Sequence, residues 1–144
     1  MKKYLLIAAG LLLCLAMLAG CGVHEPVYNG TGSRETTVSM RIATADGDVL
    51  FDDDVTVVDN IPTAYMALKA AASAKSLSLE INAQDTPDIM FLNGIGSIYS
   101  QDPKYWVLFV NGEKAEFGMG IQTVEDGDEV TFFYQDRTED SIKT

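Results

Sequence analysis

The residues that lead up to Cys21 set how much of this chain is left to fold and what can hold the fold together. Lys2 and Lys3 are followed by an apolar run over residues 4–18 and by a small pair, Ala19-Gly20. A short positive segment, an apolar stretch and small residues before a cut are the parts of a secretory signal. Removal of the first 20 of the 144 residues leaves 124, enough for one small domain.

The cysteine makes this signal more specific. Leu18-Ala19-Gly20-Cys21 resembles the signal of bacterial lipoproteins, in which the cysteine is lipidated and becomes the new N-terminus. Stable anchoring takes two acyl chains, which a diacylated Cys21, for example with palmitate, would supply. The alternatives are a plain signal peptide, which more often ends in Ala-x-Ala, or a membrane span, which needs about 20 apolar residues. We therefore expect an extracytoplasmic protein, anchored in membrane lipid at the outer face of the bacterial cytoplasmic membrane or at the cell surface.

Charge and cysteine content narrow the class of protein further. Loss of residues 1–20 removes Lys2 and Lys3 and no acidic residue, so the net charge goes from −11 to −13. Such an acidic domain repels phosphates, which argues against nucleic acid as a partner. Cys14 leaves with the signal and Cys21 serves as the anchor, so the domain has neither a disulfide nor a cysteine metal site. Its stability must come from its apolar core.

The chain divides into four segments. Residues 1–20 form the cleaved signal, and residues 21–36 are rich in Gly, Asn, Thr and Ser, which is typical of a flexible tether. Residues 37–136 form the folded domain, and residues 137–144 form a polar C-terminal tail.

Alternation and turn residues predict several strands. Residues 37–42 alternate polar and apolar side chains, and Asp46-Gly47 is a pair typical of tight hairpins. The returning strand is expected over 49–51 and 55–58, interrupted by the acidic triplet 52–54. Further short strands are predicted over residues 77–81, 89–92, 105–110 and 129–134.

One helix is predicted over residues 61–75. Thr63 is a good N-cap residue, and apolar side chains recur at helical spacing along one narrow face. That face consists of Ala64, Ala67, Leu68 and Ala71. Because it is mostly alanine, the helix should lie close against a sheet. One helix on a small, mostly antiparallel sheet is an α+β arrangement, with the opposite sheet face open or covered only by loops.

Four segments together carry a resemblance to a known family. They include Asn93-Gly94, a Trp-x-x-x-Val-Asn-Gly strand that begins at Trp106, and Asp126-Gly127-Asp128 before the last strand; the segments are residues 61–68, 91–95, 105–112 and 124–130. The chain resembles the transcobalamin C-terminal-like domain over roughly residues 37–135. The resemblance implies a β-grasp-like domain, which in vertebrate cobalamin carriers covers one face of a corrinoid while a helical domain covers the other. No such helical domain is predicted here.

An aromatic-rich stretch supplies the candidate ligand-binding residues. A flat, apolar ligand needs flat apolar surface and a few hydrogen-bonding groups at its edge. The candidates are Asn93, Tyr99, Trp106, Phe117, Met119 and Gln122. The alternative is ordinary core, since alternation places Trp106 and Leu108 on one strand face and Val107 and Phe109 on the other. The loop residues Tyr99, Phe117 and Met119 are expected to be exposed.

Catalysis and metal binding find little support in the residues. The only histidine, His24, lies in the predicted tether, so no Ser-His-Asp, Cys-His or histidine metal site can form in the domain. The Asp-Gly-Asp turns do not fit a twelve-residue calcium loop, and the triplet 52–54 fits the protection of an edge strand. Paired carboxylates stay open as an alternative, although the acidic residues lie mostly at turns. We therefore predict a protein that is not an enzyme, with no metal or cofactor.

Two functions follow from these observations. The first is a lipid-anchored binding module that holds a small ligand, in the resemblance a corrinoid, and passes it to a membrane transporter. The second is a structural or adhesive module that pairs with another protein or a surface glycan, because a small sheet with an accessible edge can accept a partner strand.

Overall fold

Nine strands and one helix make up the part of the chain that the structure, a computed structural model, describes: residues 25–83, 88 and 90–142. The predicted signal and the predicted lipidation site Cys21 lie outside these residues. No helix of the described residues has the length and hydropathy to cross a membrane. The elements are β1 (Val27–Asn29), β2 (Glu35–Thr44), β3 (Val49–Val58), α1 (Ala64–Ala74), β4 (Leu79–Ala83), β5 (Met90–Ile95), β6 (Ile98–Tyr99), β7 (Lys104–Val110), β8 (Glu113–Lys114) and β9 (Glu129–Asp136).

The larger sheet is built around the long hairpin of β2 and β3. Its strand order is β1-β3-β2-β9-β7-β8, with β2 antiparallel to β3 and parallel to β9. Gly47 closes the hairpin with a φ of 100°, a left-handed conformation that suits glycine. The predicted hairpin is therefore confirmed. The chain leaves β3, forms α1 on one face of the sheet and returns to place β9 beside β2.

The alanine face of α1 lets the helix approach the sheet closely. The Thr63 hydroxyl accepts the Met66 backbone N–H at 3.4 Å and so caps the helix as predicted. Ala64, Ala67 and Ala71 are fully buried against β1, β2 and β3. The helix ends where Ser76 takes a φ of 53°, and the next N–H donates back to the Ala72 carbonyl at 2.8 Å. The predicted α+β, β-grasp-like fold, with one helix on a mostly antiparallel sheet, is confirmed.

A second, three-stranded sheet of β4, β5 and β6 is fastened to the larger one by two aromatic side chains. The indole N–H of Trp106 donates to the Ile98 carbonyl at 3.0 Å, and the Tyr134 hydroxyl donates to the Tyr99 carbonyl at 2.8 Å. The two rings contact each other, with centroids 5.3 Å apart. Both donors reach β6, so this short strand holds its place through side chains of β7 and β9.

Both faces of the larger sheet are packed. Trp106 belongs to the main cluster under the helix, whereas Val107 and Phe109 belong to a second cluster with Ala43 and Phe133 on the opposite face. The predicted alternation along β7 is therefore confirmed. The second cluster is covered by the segment after β9: Ile142 packs on it, and the buried Gln135 amide donates to the carbonyls of Glu139 and Ser141, at 3.3 and 3.0 Å.

Two local predictions differ from the structure. The described part of the predicted tether is folded, because β1 pairs in parallel with β3 from Val27 opposite Thr56, and Tyr28 packs against the main cluster. The acidic triplet does not interrupt its strand: β3 is continuous, and residues 52–54 are exposed along it. Since β1 pairs only with the Thr56–Val58 end of β3, these carboxylates lie where the edge is open, which fits their predicted protective role.

The side chain of Asp59 links the loop between β1 and β2 to the segment between β3 and α1. Its carboxylate accepts the Thr31 backbone N–H at 2.7 Å and the Ile61 backbone N–H at 2.8 Å. The Thr31 donor first, and then the Ile61 donor, lower the pKa of the Asp59 carboxyl below its usual value. The ionised form thus holds the β1–β2 loop against the start of the helical segment.

We expect Asp59→Asn to be less stable than the wild type at neutral pH and to lose this disadvantage in acid. A folded-state pKa below the unfolded value of about 3.9 stabilises the protein above that pH, and the contribution disappears as the pH falls through the folded pKa. Urea unfolding at a series of pH values between 7 and 2 measures the difference. Asp54→Asn, on the exposed β3 edge, is the control. A wild-type advantage over Asp59→Asn that stays constant with pH would contradict the assignment.

Candidate functional site

An open cleft of about 300 Å³ lies between the edge of β5, the edge of β7 and the loop that follows β8. Residues of β5, β7 and β9 and of this loop line it, together with Arg137. The cleft is lined by Met90, Phe91, Leu92, Tyr105, Trp106, Val107, Leu108, Lys114, Ala115, Phe117, Gly118, Met119, Phe132 and Arg137. Its volume is at the lower end of the roughly 300–1,000 Å³ that small-molecule sites occupy.

The loop wall is held by the start of the helix. The backbone N–H of Ala64 donates to the Gln122 carbonyl at 2.9 Å, and that of Tyr65 to the Met119 carbonyl at 3.0 Å. These are N–H groups that a helix cannot satisfy internally, so the loop caps α1 and is fixed by it. The Met119 side chain packs in the main cluster and is only 4% exposed, so the prediction that it is exposed is wrong.

Aromatic rings form the sides of the cleft. Phe91 and Tyr105 meet edge to face across it, with centroids 6.0 Å apart. Phe117 is 57% exposed at the rim, in agreement with its predicted exposure. Trp106 is 8% exposed and donates its indole N–H to Ile98, so it offers a ligand ring surface but no free donor. A ligand here would meet mainly apolar surface.

The charged residues of the cleft are both cations. Among its described lining residues Lys114 and Arg137 carry positive charge and none is acidic, in a chain with 21 acidic and 10 basic residues. The Arg137 guanidinium carbon lies 5.3 Å from the centroid of the Tyr105 ring, a cation–π arrangement. The Lys114 ammonium donates to the Arg137 carbonyl at 3.2 Å and lies 3.5 Å from the exposed Asp140 carboxylate.

The structure brings together some of the sequence-predicted site residues. Trp106, Phe117 and Met119 line the same cleft. Gln122 borders a neighbouring depression of about 210 Å³ that shares Phe117. Asn93 and Tyr99 lie away from both: the Asn93 amide donates to the Glu80 carboxylate at 2.7 Å, and Tyr99 is 50% exposed at the end of β6.

Several lining residues are absent from the sequence-based candidates. Tyr105 belongs to the aromatic-rich stretch and Phe91 to a family segment, but neither was among the candidate ligand-binding residues, although their aromatic side chains are the signal that marks them. Lys114 and Arg137 carried no motif at all. The ten basic residues are spread along the chain, so no local signal indicates that these two lie at one site.

No metal site emerges from the described part of the chain. Within residues 25–83, 88 and 90–142, no three or more His, Cys, Asp or Glu side chains lie close enough together to hold an ion. The aspartates of the 126–128 turn have structural partners, since one accepts the Thr37 N–H and the other contacts Asn111 and the Glu125 N–H. Turn formation accounts for these carboxylates.

The family follows from a comparison with family models. The model described as "Domain of unknown function (DUF4430)" matches residues 62–136, just over half of the 144 residues. The chain belongs to the DUF4430 family. The matched range of this DUF4430 domain runs from the start of the helical segment to the end of β9 and contains the cleft, apart from Arg137. No curated protein matches the chain in sequence.

Two solved structures share the fold of the DUF4430 domain. The first is haptocorrin in complex with Cbi, at 16% identity and a TM-score of 0.58, covering 75% of this chain and 27% of that chain. The second is a candidate metal binding protein from Ruminococcus gnavus ATCC 29149, at 13% identity and a TM-score of 0.50, covering 70% and 97%. The described fold thus spans about a quarter of haptocorrin and nearly all of the bacterial protein. At these identities the likeness concerns the fold alone.

Proposed function

We propose that this protein is a lipid-anchored, extracytoplasmic binding protein that holds a small ligand in the cleft between β5 and β7 and performs no chemistry on it. The observation that carries the proposal is the cleft itself, with aromatic walls and a loop fixed by the helix N-terminus. Rigid concave surfaces of this kind are typical of ligand sites. The lipoprotein-type signal before Cys21 supports the location, outside the membrane and tethered to it.

A corrinoid is the named ligand that this proposal puts to the test. The resemblance to the transcobalamin C-terminal-like domain and the shared fold with haptocorrin, solved with Cbi, support it. A corrin ring is larger than a cleft of about 300 Å³, so its edge or one side group would enter the cleft while the rest stays outside. Such a half-covered ligand can be released readily, which suits delivery to a membrane transporter.

The experiment uses the single tryptophan of the chain. Trp106 lines the cleft, and its indole N–H gives one isolated cross-peak in a ¹H–¹⁵N spectrum of the full chain in non-ionic detergent. Titration with 2-naphthamide, cobinamide and cobalamin should move this cross-peak in a saturable way. For an uncharged ligand with about a dozen heavy atoms we expect a Kd near 1 mM or tighter.

The results distinguish binding of small ligands in general from binding of a corrinoid. Saturable shifts with 2-naphthamide but none with either corrinoid would retain the small-ligand function and remove the corrinoid. A cross-peak that stays in place with all three ligands would reject the cleft as a binding site.

A second candidate function is supported by the open edge of β7. Strand β8 pairs only with Phe109 and Val110, and β5 forms no ladder with β7 among the described residues. A surface or adhesion protein that presents an extended segment could pair with residues 105–107. Pull-down from envelope extracts that yields a stoichiometric protein partner, together with no small-ligand binding, would favour this function.

A further inference from the structure

Two cations at the rim of the cleft specify the kind of ligand. We infer that the ligand combines an apolar, preferably aromatic, body with a carboxylate, and that Arg137, assisted by Lys114, binds the carboxylate. This inference rests on the proposed function, since it names the ligand class of the same cleft. The juxtaposition that carries it is a guanidinium over the Tyr105 ring beside a cavity lined by aromatic side chains.

Charge distribution is the first argument. The chain has a net charge of −11, yet both charged residues among the described lining of the cleft are basic. In an acidic protein a local positive rim is where an anion can approach. The overall negative field disfavours a dianion more than a monoanion, which favours a carboxylate over a phosphate monoester.

The geometry of Arg137 is the second argument. Its guanidinium carbon lies over the Tyr105 ring, 5.3 Å from the centroid, at the rim of the cleft. A planar guanidinium keeps its N–H donors in its own plane, where they can bind a carboxylate in a bidentate manner. Hydrogen bonds from Thr138 and, after them, the charge of Arg137 lower the pKa of the neighbouring Asp136 carboxyl, but no ion pair joins the guanidinium to Asp136 or to another described residue. Arg137 is therefore available to a ligand.

Lys114 shows that the site tolerates a carboxylate. Its ammonium lies 3.5 Å from the Asp140 carboxylate, which is 92% exposed. Exposed pairs of this kind contribute little and exchange readily. A ligand carboxylate that enters the cleft can take the position beside Lys114 while Asp140 turns to solvent.

The experiment compares two ligands of the same shape. 2-Naphthoate carries a carboxylate where 2-naphthamide carries an uncharged amide, and both are titrated into the full chain while the Trp106 indole cross-peak is followed. We expect 2-naphthoate to bind about fivefold more tightly, the upper end for an exposed ion pair. Arg137→Gln should abolish the preference, so that the two ligands bind the variant with equal Kd. Arg34→Gln, which removes the same charge from an exposed position outside the cleft, should keep the preference.

The other possible results overturn either the carboxylate inference or the small-ligand function. Equal binding of the two ligands, or a preference that survives Arg137→Gln, would overturn the inference and leave the small-ligand function intact. Tighter binding of 2-naphthyl phosphate than of 2-naphthoate would replace the carboxylate with a phosphate. If neither naphthoate nor naphthamide binds, the inference fails, and the titrations with cobinamide and cobalamin decide whether the small-ligand function fails as well.

Discussion

Phe109→Ala should lower the free energy of unfolding by about 3–5 kcal/mol, the range found when a buried phenylalanine is truncated. Phe109 is fully buried on the sheet face that points away from the helix, among Ala43, Val107 and Phe133. Truncation would leave a cavity that few neighbours can fill, because the cluster is small. Since domains of this size are stable by only about 5–15 kcal/mol, the variant should unfold at a much lower urea concentration. Urea titration of the full chain, followed by Trp106 fluorescence, measures the change.

The matched control is the same substitution eight residues further along the chain. Phe117 is more than half exposed at the rim of the cleft, so Phe117→Ala should change stability by no more than about 0.5 kcal/mol. A loss below 1 kcal/mol for Phe109→Ala would mean that the second face of the sheet is not a packed core. The segment that carries Ile142 would then be a loose cover rather than part of the fold.

The elements that were predicted correctly depend on short-range patterns. Thr63 as N-cap and the alanine stripe of α1 are set by residues within one or two helical turns. The two faces of β7 follow from a period of two, which placed Trp106 and Phe109 in different clusters. Turn pairs such as Asp46-Gly47 can be recognised locally, because the turn needs a positive φ that glycine adopts readily.

The features that were missed depend on partners far away in the chain. Tyr28, predicted to lie in a flexible tether, is ordered because it packs on an apolar surface formed by β3 and the helix. No residue close to Tyr28 in the sequence indicates that surface. Met119 is buried in the main cluster, and its carbonyl accepts the N–H of Tyr65, 54 positions earlier in the chain. Arg137 reaches Tyr105 only after β9 has paired with β7. Local sequence cannot report such contacts.

Backbone geometry explains why some of the predicted site residues line one cleft and others do not. Trp106 and Phe117 lie on opposite sides of a β-turn, and Asn111 and Gly112, with φ of 53° and 80°, fold the chain back so that both line one cavity. Asn93 is the extra residue of a bulge between Leu92 and Gly94, which interrupts the alternation of β5, and its amide donates to Glu80 on β4. Adjacent residues Phe91 and Leu92 line the cleft instead.

Phe117→Ala should weaken the binding of 2-naphthamide about tenfold, because truncation of an aromatic side chain that contacts a ligand costs roughly 1–2 kcal/mol. Its ring stands exposed at the rim, where it can cover a bound aromatic body, and its loop is already fixed by the helix N-terminus. The variant should therefore keep its stability and lose affinity.

Tyr99→Ala is the matched control, since Tyr99 is 50% exposed but lies outside the cleft. The micelles are the same in every sample, so ratios of Kd from the Trp106 cross-peak compare the variants directly. A loss of affinity in Tyr99→Ala with none in Phe117→Ala would move the binding site from the cleft to the β5–β6 side of the small sheet.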